Sequence, residues 1–188
     1  MLLMILLIVL FLFASGFFSG IEIAYVSANR LRIELEKKKG TRRGRILANL
    51  IEKPSQFLGT TLVGNNIVLI IFSILAESFI LDAEYLGLES SLTNESIKLL
   101  VITLMTTVVV LIFGELLPKV TFRATATSSL FLFALPFSII KWILTPVVWV
   151  MVKSSYAILR IFLGLNPEDE EQVFTKLDLE HFIKSIRP

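Results

Sequence analysis

The sequence predicts an all-α membrane protein with three transmembrane helices and a belt of juxtamembrane helices on the cytoplasmic side. Hydrophobic residues make up 55% of the 188 residues, and the mean hydropathy is +0.79. Three apolar stretches each run for about 20 residues, or roughly 30 Å of helix, which matches the thickness of a hydrocarbon core. A fourth apolar stretch is interrupted by prolines and basic residues at intervals shorter than a span.

Composition excludes several classes of function. The chain has no cysteine, so it forms no disulfide and no thiolate metal site, and any metal site must be built from oxygen. A net charge of +2 is small for this length, so nucleic acid is not an expected partner. The single histidine, His181, lies in a polar C-terminal segment. We therefore expect no His-based catalytic site within the spans, and no enzyme.

The first predicted span covers residues 1–27. A cleaved signal peptide is the alternative, favoured by small residues around Ser15, but no basic segment precedes the apolar stretch. The region from Arg30 to Lys53 then carries nine Lys or Arg residues against three Glu, which is typical of a cytoplasmic loop. The N-terminus is therefore expected outside.

The second predicted span covers residues 57–79, and the third covers residues 97–117. The loop between them is acidic and lacks basic residues from position 82 to position 96, which indicates the non-cytoplasmic side. Lys119 and Arg123 follow the third span and mark the return to the cytoplasm. The C-terminus is therefore expected inside the cell.

Residues 128–163 are predicted to form interfacial helices. Two prolines and three basic residues interrupt this apolar stretch, namely Pro136, Lys141, Pro146, Lys153 and Arg160. Trp142, Trp149 and Tyr156 recur every seven residues, so they would share one helix face at the membrane surface. A fourth crossing is the alternative. Residues 1–165 then form the transmembrane domain, and residues 166–188 begin a cytoplasmic segment of a longer chain.

Two short sites place small or polar residues inside the predicted spans. In the first span, Ser19 lies between Gly16 and Gly20, where a loosened helix would expose carbonyl oxygens. Close helix packing is the alternative, because small residues four apart favour it. In the second span, Asn65 and Asn66 put two carboxamides in hydrocarbon, where they must bind a cation or bond a neighbouring helix.

A third site places a carboxylate at the end of the third span. Glu115 follows Gly114 and precedes Pro118, which removes a helix hydrogen bond from the preceding turn. A solvated helix end with Glu115 paired to Lys119 is the alternative. Taken together, serine, asparagine and glutamate oxygens on three helices are the ligands of a hard cation such as Mg²⁺ or Ca²⁺, and Na⁺ fits the same ligands.

The ordered motifs resemble the transmembrane domain of the CorC/CorB/CNNM magnesium-transporter family. They are Phe18-Ser19-Gly20-x-Glu22-x-Ala24, Asn29-Arg30-Leu31-Arg32, Gly64-Asn65 and Phe113-Gly114-Glu115-x-x-Pro118-Lys119. The resemblance implies a homodimer in the inner membrane, with three spans and a juxtamembrane belt per subunit. It also implies Na⁺-coupled Mg²⁺ export by alternating access, and a following CBS-pair module that binds ATP.

The resemblance also implies a ligand set. Ser19, Asn65, the Gly114 carbonyl and Glu115 would surround Mg²⁺, with Asn66 as an accessory ligand. Gly20 and Pro118 would be structural residues at the site. One position departs from the family pattern, because many relatives carry a second asparagine where this chain has Leu69. The alternative function is a non-transporting membrane scaffold or sensor, as in relatives associated with gliding motility.

Overall fold

The computed structural model describes residues 1–82 and 95–164, and these ranges are helical almost throughout. Most of the predicted acidic loop, and the whole segment 166–188 with His181, lie outside the described residues. The helices are α1 (Leu2–Ser27), α2 (Arg30–Lys38), α3 (Arg42–Ile51), α4 (Pro54–Asp82), α5 (Glu95–Val109), a π-helix (Val110–Leu116), α6 (Leu117–Ala124) and α7 (Ala126–Leu163).

Four helical stretches within the described residues are long and apolar enough to cross a membrane, so the chain is a multi-pass membrane protein. They are Leu2–Ser27, Pro54–Ile80, Leu99–Ala124 and Ala126–Phe162. The first three contain the three predicted spans. The fourth covers the stretch predicted to be interfacial, and its length and composition alone leave both a crossing and a membrane-surface position open.

Helix α1 lies at the centre of the fold. It contacts α4, the π-helix, α6 and α7. Near its C-terminal end the Tyr25 ring stacks on Phe57 of α4 with ring centroids 4.4 Å apart, and Phe57 lies 4.4 Å from the Phe137 ring of α7. This aromatic stack joins three helices in a core that also includes Ile33 of α2 and Leu47 of α3.

The basic segment after α1 folds into two short capped helices. The Asn29 side chain accepts a hydrogen bond from the Arg32 backbone N–H at 3.1 Å and so caps α2. Thr41 caps α3 in the same way through the Gly44 N–H. Most of the Lys and Arg side chains of this segment are exposed.

Helix α7 is a single helix of 38 residues rather than the several interfacial helices that the sequence predicts. Its two internal prolines, Pro136 and Pro146, do not end the helix, although each removes a backbone hydrogen bond. Both prolines lie on the exposed side of α7. The buried side keeps its packing contacts, such as Phe137 and Val148, so the helix continues through both positions.

Contacts along α7 fall on one end of α4. Phe137 packs on Phe57, Val148 lies beside Gly59, and the Tyr156 hydroxyl is 2.7 Å from the Ser55 hydroxyl. From residue 137 to 156 a helix rises about 28 Å, whereas the contacted α4 residues, from 55 to 59, rise only about 6 Å. These three contacts therefore join α7 to the N-terminal end of α4.

Candidate cation site

The site centres on Ser15, in the middle of α1. Its side chain is completely buried, and its hydroxyl donates a hydrogen bond of 3.0 Å to Asn65 Oδ1 on α4. Because these residues are 50 positions apart in the chain, the bond fixes the register between the two helices. The bond also gives the Asn65 carboxamide oxygen a hydrogen-bond donor, whereas an unpaired oxygen at membrane depth would destabilise the protein.

Gly114 of the π-helix contacts the same serine. A Cβ at Gly114 would lie 3.3 Å from Ser15 Oγ, so a side chain there would require the hydroxyl to shift by a few tenths of an ångström. Pro118 has no N–H to donate to the Gly114 carbonyl four residues earlier, although in a π-helix the N–H five residues on can donate instead. Three elements, α1, α4 and the π-helix, therefore bring oxygen-bearing groups together around Ser15.

Glu115 follows Gly114 in the π-helix and carries a negative charge. Its side chain is 29% exposed, and a carboxylate oxygen accepts a hydrogen bond of 3.3 Å from Lys119 Nζ, one turn further on. The ion pair is the arrangement that the sequence offered as the alternative to a ligand role. A carboxylate held by a flexible lysine remains available to another cation, because exposed pairs of this kind contribute less than about 1 kcal/mol.

Ser19 lies one turn after Ser15 on the same face of α1 and is 98% buried, since its relative exposure is 2%. The glycines beside it do not loosen the helix, because α1 is continuous from Leu2 to Ser27. A Cβ at Gly16 would lie 2.8 Å from Pro118, and one at Gly20 would lie 2.6 Å from the Phe122 ring. Close helix packing is therefore the reason for both glycines, as the alternative interpretation held.

The two adjacent asparagines point in different directions. Asn65 is half-buried against Ser15, whereas Asn66 is exposed on the outer side of α4. Helix α4 does not unwind between them, and consecutive side chains on a helix diverge by about 100°. Asn66 is therefore directed away from Ser15 in this structure, and its role as an accessory ligand stays a prediction. Gly64 holds α4 close to α1, because a Cβ there would overlap the Phe18 ring.

Ser15 is the member of the cluster that the sequence analysis missed. Its spacing of four residues from Ser19 was the available signal, because that spacing puts both hydroxyls on one helix face. Ser19 belongs to the motif that resembles the family pattern, whereas Ser15 does not. The partner of Ser15, Asn65, was predicted, but no sequence pattern states which α1 residue it faces.

The donor set limits what the site can hold. Within residues 1–82 and 95–164 there is no group of three or more His, Asp or Glu side chains that could hold a metal ion. The described cluster offers hydroxyl, carboxamide and carbonyl oxygens with one carboxylate. Such oxygens suit Mg²⁺, Ca²⁺ or Na⁺, and they do not suit Zn²⁺ or Cu²⁺.

Comparison with known proteins identifies the family of the chain. Residues 6–187 match the family model described as the cyclin M transmembrane N-terminal domain. The chain is 25% identical over 177 residues to a UPF0053 protein of Haemophilus influenzae, an alignment that covers 94% of this chain and 40% of that protein. It is 32% identical over 105 residues to the UPF0053 inner membrane protein YfjD of Escherichia coli, covering 56% of this chain and 22% of YfjD. The chain thus spans less than half the length of these curated relatives.

Proposed function

The chain belongs to the cyclin M transmembrane domain family, and we propose that it transports Mg²⁺ across the membrane, by Na⁺-coupled export with alternating access. The observation that carries this proposal is the convergence of Ser15, Asn65 and Gly114 at one buried point, with Glu115 beside it. Mg²⁺ is the transported ion in this scheme, and no catalytic step is proposed for the chain.

The spacing of the donor atoms supports Mg²⁺ as the cargo. Adjacent ligands of an octahedral Mg²⁺ ion with bonds of 2.0–2.1 Å are about 2.9 Å apart. Ser15 Oγ and Asn65 Oδ1 are 3.0 Å apart, because they share a hydrogen bond. Both oxygens retain lone pairs. The Ser15 hydroxyl proton can therefore turn away from Asn65, and an ion can bind between the two oxygens with little movement of either helix.

Ser15 and Asn65 alone would fill only part of the coordination shell of the ion. Ser19, the Gly114 carbonyl and Glu115 supply further oxygens from the same region, and water fills the remaining positions, since Mg²⁺ gives up water reluctantly. A shell of one carboxylate and several neutral oxygens holds the ion weakly enough to release it. Glu115 exchanges its Lys119 partner for the ion in this scheme.

The arrangement in the membrane is part of the proposal. In this arrangement α1, α4 and the third apolar stretch each cross the inner membrane. The N-terminus then lies outside, and the basic helices α2 and α3 lie in the cytoplasm. Helix α7 then lies along the cytoplasmic surface. The α7 contacts at Ser55, Phe57 and Gly59 support this, because they lie at the end of α4 that follows the basic helices.

Assembly and regulation extend the proposal to the whole protein. Family membership supports a homodimer and a cytoplasmic CBS-pair module that binds ATP after the transmembrane domain. Exposed apolar side chains cover the N-terminal half of α1 and much of α5, which suits contact with lipid or with a second subunit.

A non-transporting scaffold of the same fold is the second candidate. Leu69 lies one turn after Asn65 on α4 and supplies no oxygen where many relatives have an asparagine. Asn66 is exposed and does not replace it. Such a protein could keep the Ser15–Asn65 bond for packing alone while transporting nothing.

Flux into proteoliposomes of the full-length protein separates the two candidates. We expect Glu115→Gln and Asn65→Ala to abolish Mg²⁺ flux, whereas Asn66→Ala, one residue away but exposed, and Glu77→Gln, exposed near the end of α4, should retain it. Equal flux in all variants and the parent would rule out transport through this site. A Mg²⁺-dependent rise in thermal midpoint without any flux would favour the scaffold or sensor.

A further inference from the structure

A second polar cleft lies between α3 and α7, apart from the cation site. Its volume is about 290 Å³. Its polar wall is formed by Asn49 of α3 and by Ser138, Lys141 and Thr145 of α7, and Ile46 and Trp142 are among its apolar residues. A side-chain amide, two hydroxyls and an ammonium group therefore face one small volume.

The cleft carries positive charge without a matching carboxylate. The half-buried Lys141 ammonium lies close enough to Lys53, at the start of α4, for the two to repel each other. None of the ion pairs among the described residues involves either lysine. An anion in the cleft would offset the repulsion between the two ammonium groups and accept hydrogen bonds from Lys141.

The rim of the cleft is apolar on the α7 side. Ile139 and Ile143 are exposed to 62% and 59%, and Trp142 is exposed to 78% although it also lines the cleft. Tryptophan beside a lysine is typical of the membrane interface, where the ring lies at headgroup depth and the ammonium reaches the headgroups. An anion entering here therefore meets an apolar surface beside the charged one.

We propose that the α3–α7 cleft binds the phosphate group of an anionic membrane phospholipid, with Lys141 contacting the phosphate, Lys53 adding positive charge nearby, and Ile46 and Trp142 contacting the glycerol and upper acyl chain. A free phosphate ion would need only the polar wall, whereas a phospholipid uses both walls of the cleft. The site would anchor α7 to α3 through the lipid. It is independent of the proposed ion site, so either proposal can fail alone.

Native mass spectrometry of the purified protein tests this binding. The protein is titrated with phosphatidylglycerol or phosphatidylcholine, and bound lipid is counted. We expect phosphatidylglycerol to bind in preference, and Lys141→Gln to weaken that binding about fivefold, which corresponds to loss of one basic contact of about 1 kcal/mol. Lys141→Arg should keep it. Arg160→Gln, which removes an exposed charge from the same helix, is the matched control.

Two further measurements separate a loss of lipid binding from a loss of folding, and a bound lipid from a free phosphate ion. Lys53→Gln changes an exposed side chain and should weaken phosphatidylglycerol binding without lowering the thermal midpoint in phosphatidylcholine micelles. Addition of millimolar inorganic phosphate should leave the lipid bound. Full displacement by phosphate would overturn the lipid assignment in favour of a free anion, and unchanged phosphatidylglycerol binding in both lysine variants would overturn the site itself.

Discussion

The Ser15 hydroxyl donates to Asn65 Oδ1 across the α1–α4 interface at 3.0 Å, and this bond couples helix packing to the proposed ion site. We expect Ser15→Ala to destabilise the protein by about 1–2 kcal/mol, since it leaves the buried carboxamide oxygen without a donor. It should also reduce the Mg²⁺-dependent rise in thermal midpoint, because a ligand is lost. Thermal unfolding in detergent with and without Mg²⁺ measures both effects.

Ser73→Ala is the control for that experiment, because Ser73 is an exposed serine on α4. It should leave the midpoint and the Mg²⁺ response unchanged. A Ser15→Ala protein that is destabilised but responds fully to Mg²⁺ would assign Ser15 to packing alone.

Gly64 determines how closely α4 approaches α1, because a Cβ there would overlap the Phe18 ring. We expect Gly64→Ala to cost about 1–3 kcal/mol of stability, the usual range for overpacking a buried contact. Phe18→Leu in the same chain makes room for the methyl group, so the double variant should recover part of the loss. Denaturant unfolding of the two single variants and the double variant measures the coupling, and simple additivity would contradict the contact.

Lys119 competes with the ion for Glu115, since its ammonium lies 3.3 Å from the carboxylate. We expect Lys119→Gln to increase the apparent Mg²⁺ affinity about two- to fivefold, which corresponds to the energy of an exposed ion pair. Lys119→Arg should retain the parental affinity. Titration of the thermal midpoint with Mg²⁺ gives the affinity, and Lys153→Gln controls for the loss of one positive charge elsewhere.

The sequence predicts the elements of this fold better than their contacts. Apolar length alone located α1, α4 and the third span, because the bilayer imposes that length on each helix. Pro136 and Pro146 do not mark helix ends, since a helix packed on its buried side tolerates a proline on its exposed side. Asn65 could be predicted as a site residue, but its separation from Asn66 and its bond to Ser15 depend on helix rotation, which no local pattern encodes.

The position of α7 in the membrane can be decided with single cysteines, because the chain has none of its own. Ser128 and Ser154 are both exposed and lie near opposite ends of α7, about 39 Å apart along the helix. If α7 lies on the cytoplasmic surface, Ser128→Cys and Ser154→Cys should both react with a membrane-impermeant maleimide only from the cytoplasmic side. Reactivity is compared between right-side-out and inside-out vesicles.

Two reference cysteines calibrate that measurement. Arg43→Cys, at the start of α3, should report the cytoplasmic side, and Leu2→Cys should report the opposite side. A fourth crossing would give Ser154→Cys the pattern of Leu2→Cys, while Ser128→Cys kept the pattern of Arg43→Cys. Because Phe137, Val148 and Tyr156 of α7 all lie against the N-terminal end of α4, which follows the basic helices, we expect the two α7 cysteines to behave alike.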